Sequence, residues 1–246
     1  MRVEGKRRGG PQAPKPGRTK RRLIAAGSLV AVAALITVLV IVLPGSKKAP
    51  TGLSGFVTTY QPGELRSVPS SCETVSPATL SQYLPGKLAM VNLPGLTGKS
   101  SNQCDWTLDH KPTYRLLEVT ATAYAPSGLA TGNGSATNAA IDAYVLAEAG
   151  FQHPAKSAGQ PKTQVATLSA LGQAAFSAYQ VITVGAGTRA AATTDRVTVL
   201  ARYRNVLVTV EFSGLEHASQ GGYGPVSPSL LQAGAAAAAR DVLQKV

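Results

Sequence analysis

The residues able to do chemistry in this chain are few. Cys72 and Cys104 are its only cysteines, and His110, His153 and His217 its only histidines. A structural zinc site needs four ligands at short, paired spacings. Two thiols 32 positions apart, with three scattered histidines, do not supply them, so neither a metal nor a cofactor is expected. Histidine beside a carboxylate would make an acid–base pair. His110 falls in a His110-Lys111-Pro112 turn and His217 in a Gly-rich stretch, however, and both read as exposed. Glu118 and Glu211 are the candidates for two-carboxylate glycoside chemistry. Each lies on the polar side of an alternating strand, which reads as a solvated sheet face. The nucleophile-elbow pattern G-x-S-x-G and the zinc pattern H-E-x-x-H are both absent. Gly128–Ser135, GLATGNGS, lacks the lysine and the glycine spacing of a phosphate loop and reads as a loop running into a helix cap. Gly185-Ala186-Gly187 lacks a third glycine and reads as a strand connection. No catalytic residue is assigned.

The compartment comes from Leu23–Leu43, LIAAGSLVAVAALITVLVIVL, which is 21 residues without a charge. At ~1.5 Å per helical residue it matches the ~30 Å hydrocarbon core of a bilayer. A cleaved signal peptide has a shorter apolar region and a small-x-small cleavage site. This run ends in Leu43-Pro44-Gly45-Ser46-Lys47-Lys48, with no A-x-A and no lipidation cysteine nearby. Arg21-Arg22 is only a weak match to a twin-arginine export signal. A retained transmembrane helix is therefore expected. Residues 1–22 carry nine Lys or Arg against Glu4 alone. The positive-inside rule places that tail in the cytoplasm and residues 44–246 outside. The predicted location is a single-pass protein of the cell membrane with an extracytoplasmic C-terminal domain. In that oxidising setting the lone pair Cys72 and Cys104 is expected to form a disulfide. Trp106, beside Cys104, reads as core packing against it.

The net charge of +12 divides into +8 in the tail and +4 in the rest. A basic balance of this size raises nucleic acid as a partner, but topology accounts for its position next to the span, and no nucleic acid is expected. The tail is poor in apolar residues and reads as disordered. Its expected partners are the bilayer and anionic lipid head groups, at ~1 kcal/mol per basic residue near the surface. The expected organisation is a basic tail over 1–22, a membrane helix over 23–43, a flexible linker over 44–71 and one extracytoplasmic domain over 72–246.

Within that domain Ser76 reads as the cap and Pro77 as the first residue of a short helix that stops at Pro85-Gly86. Strands are expected at 87–93, 103–109, 114–124 and 174–183, and a helix from Ser135 to Ala149. The hairpin 195–203/206–212 turns on Arg204-Asn205, with asparagine tolerating the left-handed backbone of a two-residue turn. Pairing 203 with 206 puts Val197, Val199, Ala201, Tyr203, Val206, Val208, Val210 and Phe212 on one face, and a one-residue slip would destroy the match. The last helix carries Leu231, Ala235, Ala238, Val242 and Val246 on one stripe, with Arg240 away from it. The fold class expected is α+β, an antiparallel sheet with helices packed on one face.

Cys72-Glu73 before a short helix, Cys104-Asp105-Trp106 opening a strand, Leu171-Gly172 before Ala174-Ala175-Phe176, and a hairpin followed by an alanine-rich helix together carry a resemblance. Residues 70–246 resemble small actinobacterial cell-envelope lipoproteins of unknown function. That resemblance implies a PsbP-like sandwich and brings no catalytic residues. The chain departs from the family in having a membrane helix where a lipidated cysteine is usual. The functional expectation is a non-enzymatic binding or sensor module of the bacterial cell envelope, with an envelope protein, lipid or cell-wall component as ligand. The alternative is a cell-envelope hydrolase with unrecognised catalytic residues.

Overall fold

The computed structural model describes residues 57–94, 100–110, 113–154, 163–184, 192–217 and 223–246. The expected tail, membrane helix and first part of the linker lie outside them. Among the described residues no helix is long and apolar enough to cross a membrane.

The fold is α+β. Two short helices, α1 (Ser71–Thr74) and α2 (Pro77–Tyr83), precede three strands: β1 (Ala89–Pro94), β2 (Ser101–His110) and β3 (Thr113–Ala123). Helix α3 (Ala136–Gln152) then leads to β4 (Gln164–Thr167), β5 (Ala174–Val184), β6 (Ala192–Tyr203) and β7 (Val206–His217). A short β8 (Tyr223–Pro225) and helix α4 (Pro228–Leu243) follow. The strands form one antiparallel sheet in the order β1-β2-β3-β7-β6-β5-β4, with β8 on β7.

The hairpin has the expected register: Tyr203 pairs with Val206, Ala201 with Val208, Val199 with Val210 and Val197 with Phe212. Its apolar face, together with Leu117, Val119 and Ala121 of β3, is covered by α4 through Leu231, Ala235, Ala238 and Val242, all fully buried. Gly234 brings that helix close, because a Cβ there would lie 2.5 Å from Phe212 Cε1. Arg240 is exposed. The Ser76 side chain accepts a hydrogen bond from the Thr79 amide with Pro77 at the first helical position, as expected. Cys72 and Cys104 are joined by a disulfide with Cα atoms 5.1 Å apart. Trp106 is buried in the same cluster.

The Leu171-Gly172 step has a steric explanation. Gly172 has φ +63°, and a Cβ on it would lie 2.5 Å from the Arg202 carbonyl oxygen. That carbonyl accepts the Gln173 amide at 2.8 Å, which starts β5 beside β6.

Helices do not pack on one face only. α1, α2 and α4 belong to the first cluster, but α3 lies on the opposite side. There Tyr144 packs with Phe176, Ala178, Leu200 and Leu207, and Ala143, Ala147 and Phe151 join them. The Tyr144 and Phe151 rings each meet Phe176 edge to face, with centroids 5.6 Å apart. The helix runs through Gly150 to Gln152 rather than stopping at Ala149.

The folded region also begins before Cys72. The Val57 amide donates to the Asn133 carbonyl at 2.7 Å. Glu64 accepts from the Thr137 amide and hydroxyl, both at 2.8 Å, at the start of α3. Residues 57–71, placed in the linker on composition, are held by bonds to partners far along the chain. Asn205 is part of this arrangement. The left-handed residue of its turn is Arg204, at φ 51°, while the fully buried Asn205 side chain binds Leu65 and Tyr124.

Candidate functional site

Strand alternation and register bring one row of side chains across the sheet on the α3 side. Val91 stands opposite Asp105, Asp105 opposite Glu118 and Glu118 opposite Glu211. Glu211 faces Thr198, Thr198 faces Ala178 and Ala178 faces Val165. The Ala178 end is buried under α3. The Val91 end is open, 51% exposed. α3 packs chiefly on β4, β6 and β7, meeting β7 at Leu207 near its start, so β2 and β3, which carry Asp105 and Glu118, lie beyond its main cover. Their half of the face is polar, with Gln103 and Thr107 on β2, Thr120 on β3, and Thr209 and Ser213 on β7.

Like charges directly opposite one another on a sheet repel, and the row shows this. Burial pushes the Glu118 carboxyl up to about 7; Glu211 and then Asp105 add to the rise, and Arg196 opposes it. Burial also raises Asp105, against a hydrogen bond from the Gln103 amide of 2.9 Å. Arg196 Nη1 lies 3.2 Å from Glu211 Oε2, and its Nη2 donates to Gln180 Oε1 at 2.9 Å. Glu118 has no hydrogen-bond partner among the described residues. The Thr198 hydroxyl and Arg196 Nε are buried without partners as well, and Thr198 is 1% exposed.

The carboxyl pair named from sequence is therefore brought together, on a face that is partly buried rather than freely solvated. The histidines are not brought to it. His110 ends β2 and His153 follows α3, both exposed, and His217 ends β7. Neither His110 nor His153 hydrogen-bonds to a carboxylate among the described residues. The loop 128–135 holds no phosphate cradle: the Thr131 amide already donates to Asp142 Oδ2 at 2.7 Å. Gly185-Ala186-Gly187 lies outside the described residues. No three metal-ligating side chains converge among the described residues. A cleft of about 250 Å³ opens on the α4 side between Gln164, Ser177, Tyr179, Val197, Pro228 and Gln232; it contains no carboxylate or histidine.

Sequence reasoning missed Thr198, Arg196 and Asp105 as members of the site. Thr198 lies between Val197 and Val199 and so falls on the polar side of the hairpin, where nothing local signals that it is buried. Comparison with protein-family models, with curated proteins and with solved structures finds no match.

Proposed function

We propose that this protein is a non-enzymatic binding or sensor module, anchored in the membrane by Leu23–Leu43, whose domain works outside the cytoplasm. Its binding surface is the uncovered polar half of the sheet. One observation carries this reading: three carboxylates stand in register on adjacent strands, partly buried, with a buried threonine hydroxyl left unpartnered beside them. Fold stability alone does not favour that arrangement, since each repulsive or unpaired group costs free energy. The disulfide supports an oxidising compartment. The anchor, the lipid contacts of the basic tail and the likeness to actinobacterial envelope lipoproteins belong to the same proposal and rest on the sequence.

A photo-crosslinking amino acid at Thr120, on this face, should trap an envelope component in intact cells. The same group at Arg240, on the far side of α4, should not. Equal labelling from both positions would remove the face from consideration. Protease added to intact cells should digest residues 57–246 and spare the tail; protection of the domain would overturn the topology.

The hydrolase reading keeps one observation in its favour. Glu118, raised to about 7, stands beside a carboxylate ion-paired to Arg196, a division of roles that acid–base catalysis uses. Glycoside hydrolysis that disappears in Glu118→Gln would establish it in place of the binding module.

A further inference from the structure

Helix α3 is apolar on two sides. Its inner side meets the sheet through Tyr144, Ala147 and Phe151. A surface helix ordinarily turns polar and charged residues to solvent on the other side. α3 turns out Val145 and Leu146 instead, and Ala149 one turn on is exposed as well. The helix has no basic residue and two acidic ones, Asp142 and Glu148. Asp142 is already engaged: its two oxygens accept from the Thr131 amide and hydroxyl, each at 2.7 Å.

The loop holding Thr131 adds a third large apolar side chain. Leu129, two residues earlier, is 86% exposed. The loop is laid along the helix: Asn138 Nδ2 donates to Asn133 Oδ1 at 2.9 Å, and Thr131 bonds to Asp142. Going back along the loop therefore goes forward along the helix, toward Val145 and Leu146. These follow Asp142 by three and four positions and share its face. Six large apolar side chains are exposed among the described residues, and three of them belong to this one part of the surface. Grouped exposure of this kind marks a contact with a partner or a membrane.

Which of the two it is follows from where the chain enters. The Val57 amide bonds to Asn133, and Glu64 accepts from Thr137. Among the described residues the chain thus joins the domain at this same loop and at the start of α3. Only residues 44–56 separate that point from Leu43. They reach at most ~45 Å fully extended, and a coil of that length averages about 20 Å. A tether so short holds the patch near the bilayer at an effective concentration on the order of mM, where even a weak affinity is enough. The composition agrees. Protein interfaces bury about 800 Å² per partner and draw their energy from Trp, Tyr and Arg, whereas this patch holds aliphatic side chains, which enter hydrocarbon without a shaped partner. We propose that the outer side of α3 and the 127–134 loop rest on the lipid surface, with Leu129, Val145 and Leu146 inserted at the boundary of head groups and acyl chains. This rests on the reading of Leu23–Leu43 as an anchor and gives the domain a second, reversible contact with the same membrane. The contact is apolar, so uncharged lipid supports it and salt does not weaken it.

The test uses the full chain in phosphatidylcholine vesicles, with an environment-sensitive fluorophore on one added thiol, Leu129→Cys, Leu146→Cys or Arg240→Cys. The labels at Leu129→Cys and Leu146→Cys should emit at shorter wavelength and be quenched by nitroxide lipids. A nitroxide near the top of the acyl chain should quench more than one at its end, because such contacts reach about 5–10 Å into the boundary. The label at Arg240→Cys should stay unquenched, and low and high salt should give the same result. Val145→Glu combined with Leu146→Glu should abolish quenching at Leu129→Cys without moving the melting temperature. Leu129→Ser, in the exposed loop, should reduce quenching at Leu146→Cys in the same way. If both patch labels are quenched no more than the one at Arg240→Cys in a chain that resists alkaline extraction, the docking is overturned and the anchor stands. Shielding of those labels in native membranes alone would give the patch to a protein and overturn it too, as would quenching unchanged by either set of substitutions. A chain stripped from the vesicles by alkaline carbonate would remove the anchor, and the docking with it.

Discussion

The Asn205 side chain replaces a β-strand partner for Leu65: its Oδ1 accepts the Leu65 amide at 2.9 Å, and its Nδ2 donates to the Leu65 carbonyl at 2.7 Å. The same Nδ2 donates to the Tyr124 carbonyl at 2.8 Å. One amide thus joins the entering chain, the end of β3 and the β6–β7 turn. Asn205→Ala removes all three bonds from a fully buried position. At about 0.5–1.5 kcal/mol per bond the loss is roughly 2–4 kcal/mol. Chemical denaturation measures it, and hydrogen exchange at the Leu65 amide should rise even where the sheet stays protected. Unchanged exchange there would show that other contacts hold the segment.

Glu118→Gln should stabilise the protein at pH 8. Below about pH 4.5 the carboxyl is protonated in both folded and unfolded chains and contributes nothing. Between 4.5 and about 7 the unfolded chain ionises first, so the folded state loses stability progressively. Above 7 the cost is complete. At ~1.36 kcal/mol per pH unit the span corresponds to about 3 kcal/mol, which solvent at the partly exposed carboxyl reduces to roughly 1–2 kcal/mol. Melting curves of parent and variant should therefore converge at pH 4 and separate at pH 8. Parallel curves would mean that Glu118 is solvated.

The α4 contact is tested by three substitutions and a truncation. Gly234→Ala places a Cβ against the buried Phe212 ring and should cost about 1–3 kcal/mol. Val242→Asp buries an unpaired charge and should leave the domain aggregated or unfolded. Arg240→Ala, on the exposed side, should be within about 0.5 kcal/mol of the parent. Truncation after Gly224 should aggregate, because it strips the cover from Val199, Val208 and Phe212. A soluble truncated chain with an unchanged melting temperature would remove α4 from the core.

Cys104→Ser should destabilise the domain by roughly 3–4 kcal/mol, the chain-entropy value for a loop of this length. Non-reducing peptide mapping should recover the Cys72–Cys104 linked pair. Two alkylatable thiols in protein from the membrane would contradict both the bond and the compartment inferred from it.

What the chain discloses locally and what it hides can be seen by comparing α4 with α3. In α4 the bulky residues Leu231 and Val242 mark the buried stripe, so spacing alone finds it. In α3 the contact face is Ala136, Ala140, Tyr144 and Phe151, while Val145 and Leu146 point outward, 55% and 66% exposed. A reading weighted by side-chain bulk sees no clean stripe there and puts every helix on one face. The hairpin register was legible because both strands are adjacent in sequence and alternate strictly. The β3–β7 pairing was not, because 82 residues separate Ala123 from Val206. Glu118 and Glu211 were identifiable as outward carboxyls, but their alignment with each other and with Asp105 and Thr198 depends on that long-range pairing. The early start of the fold was hidden for the same reason: Glu64 and Leu65 find partners 73 and 140 positions away.

The attachments of residues 57–71 also decide how the domain carries a mechanical load. Among the described residues, tension applied to the chain on the N-terminal side reaches the Val57–Asn133 bond first. It passes next to Gly63, whose carbonyl is held by Arg204 Nη1 at 2.8 Å, then to Glu64 on Thr137 and Leu65 on Asn205. Ser71 follows, bonded through its amide and hydroxyl to Asn102. These links are spread along the segment, so they yield one after another rather than together. Each release frees a few more residues of chain, and none of these bonds belongs to the ladders between strands. The sequence of yielding ends at Cys72, where the next bond is covalent. From there a pull is delivered through Cys104 to the middle of β2, a strand hydrogen-bonded on both sides.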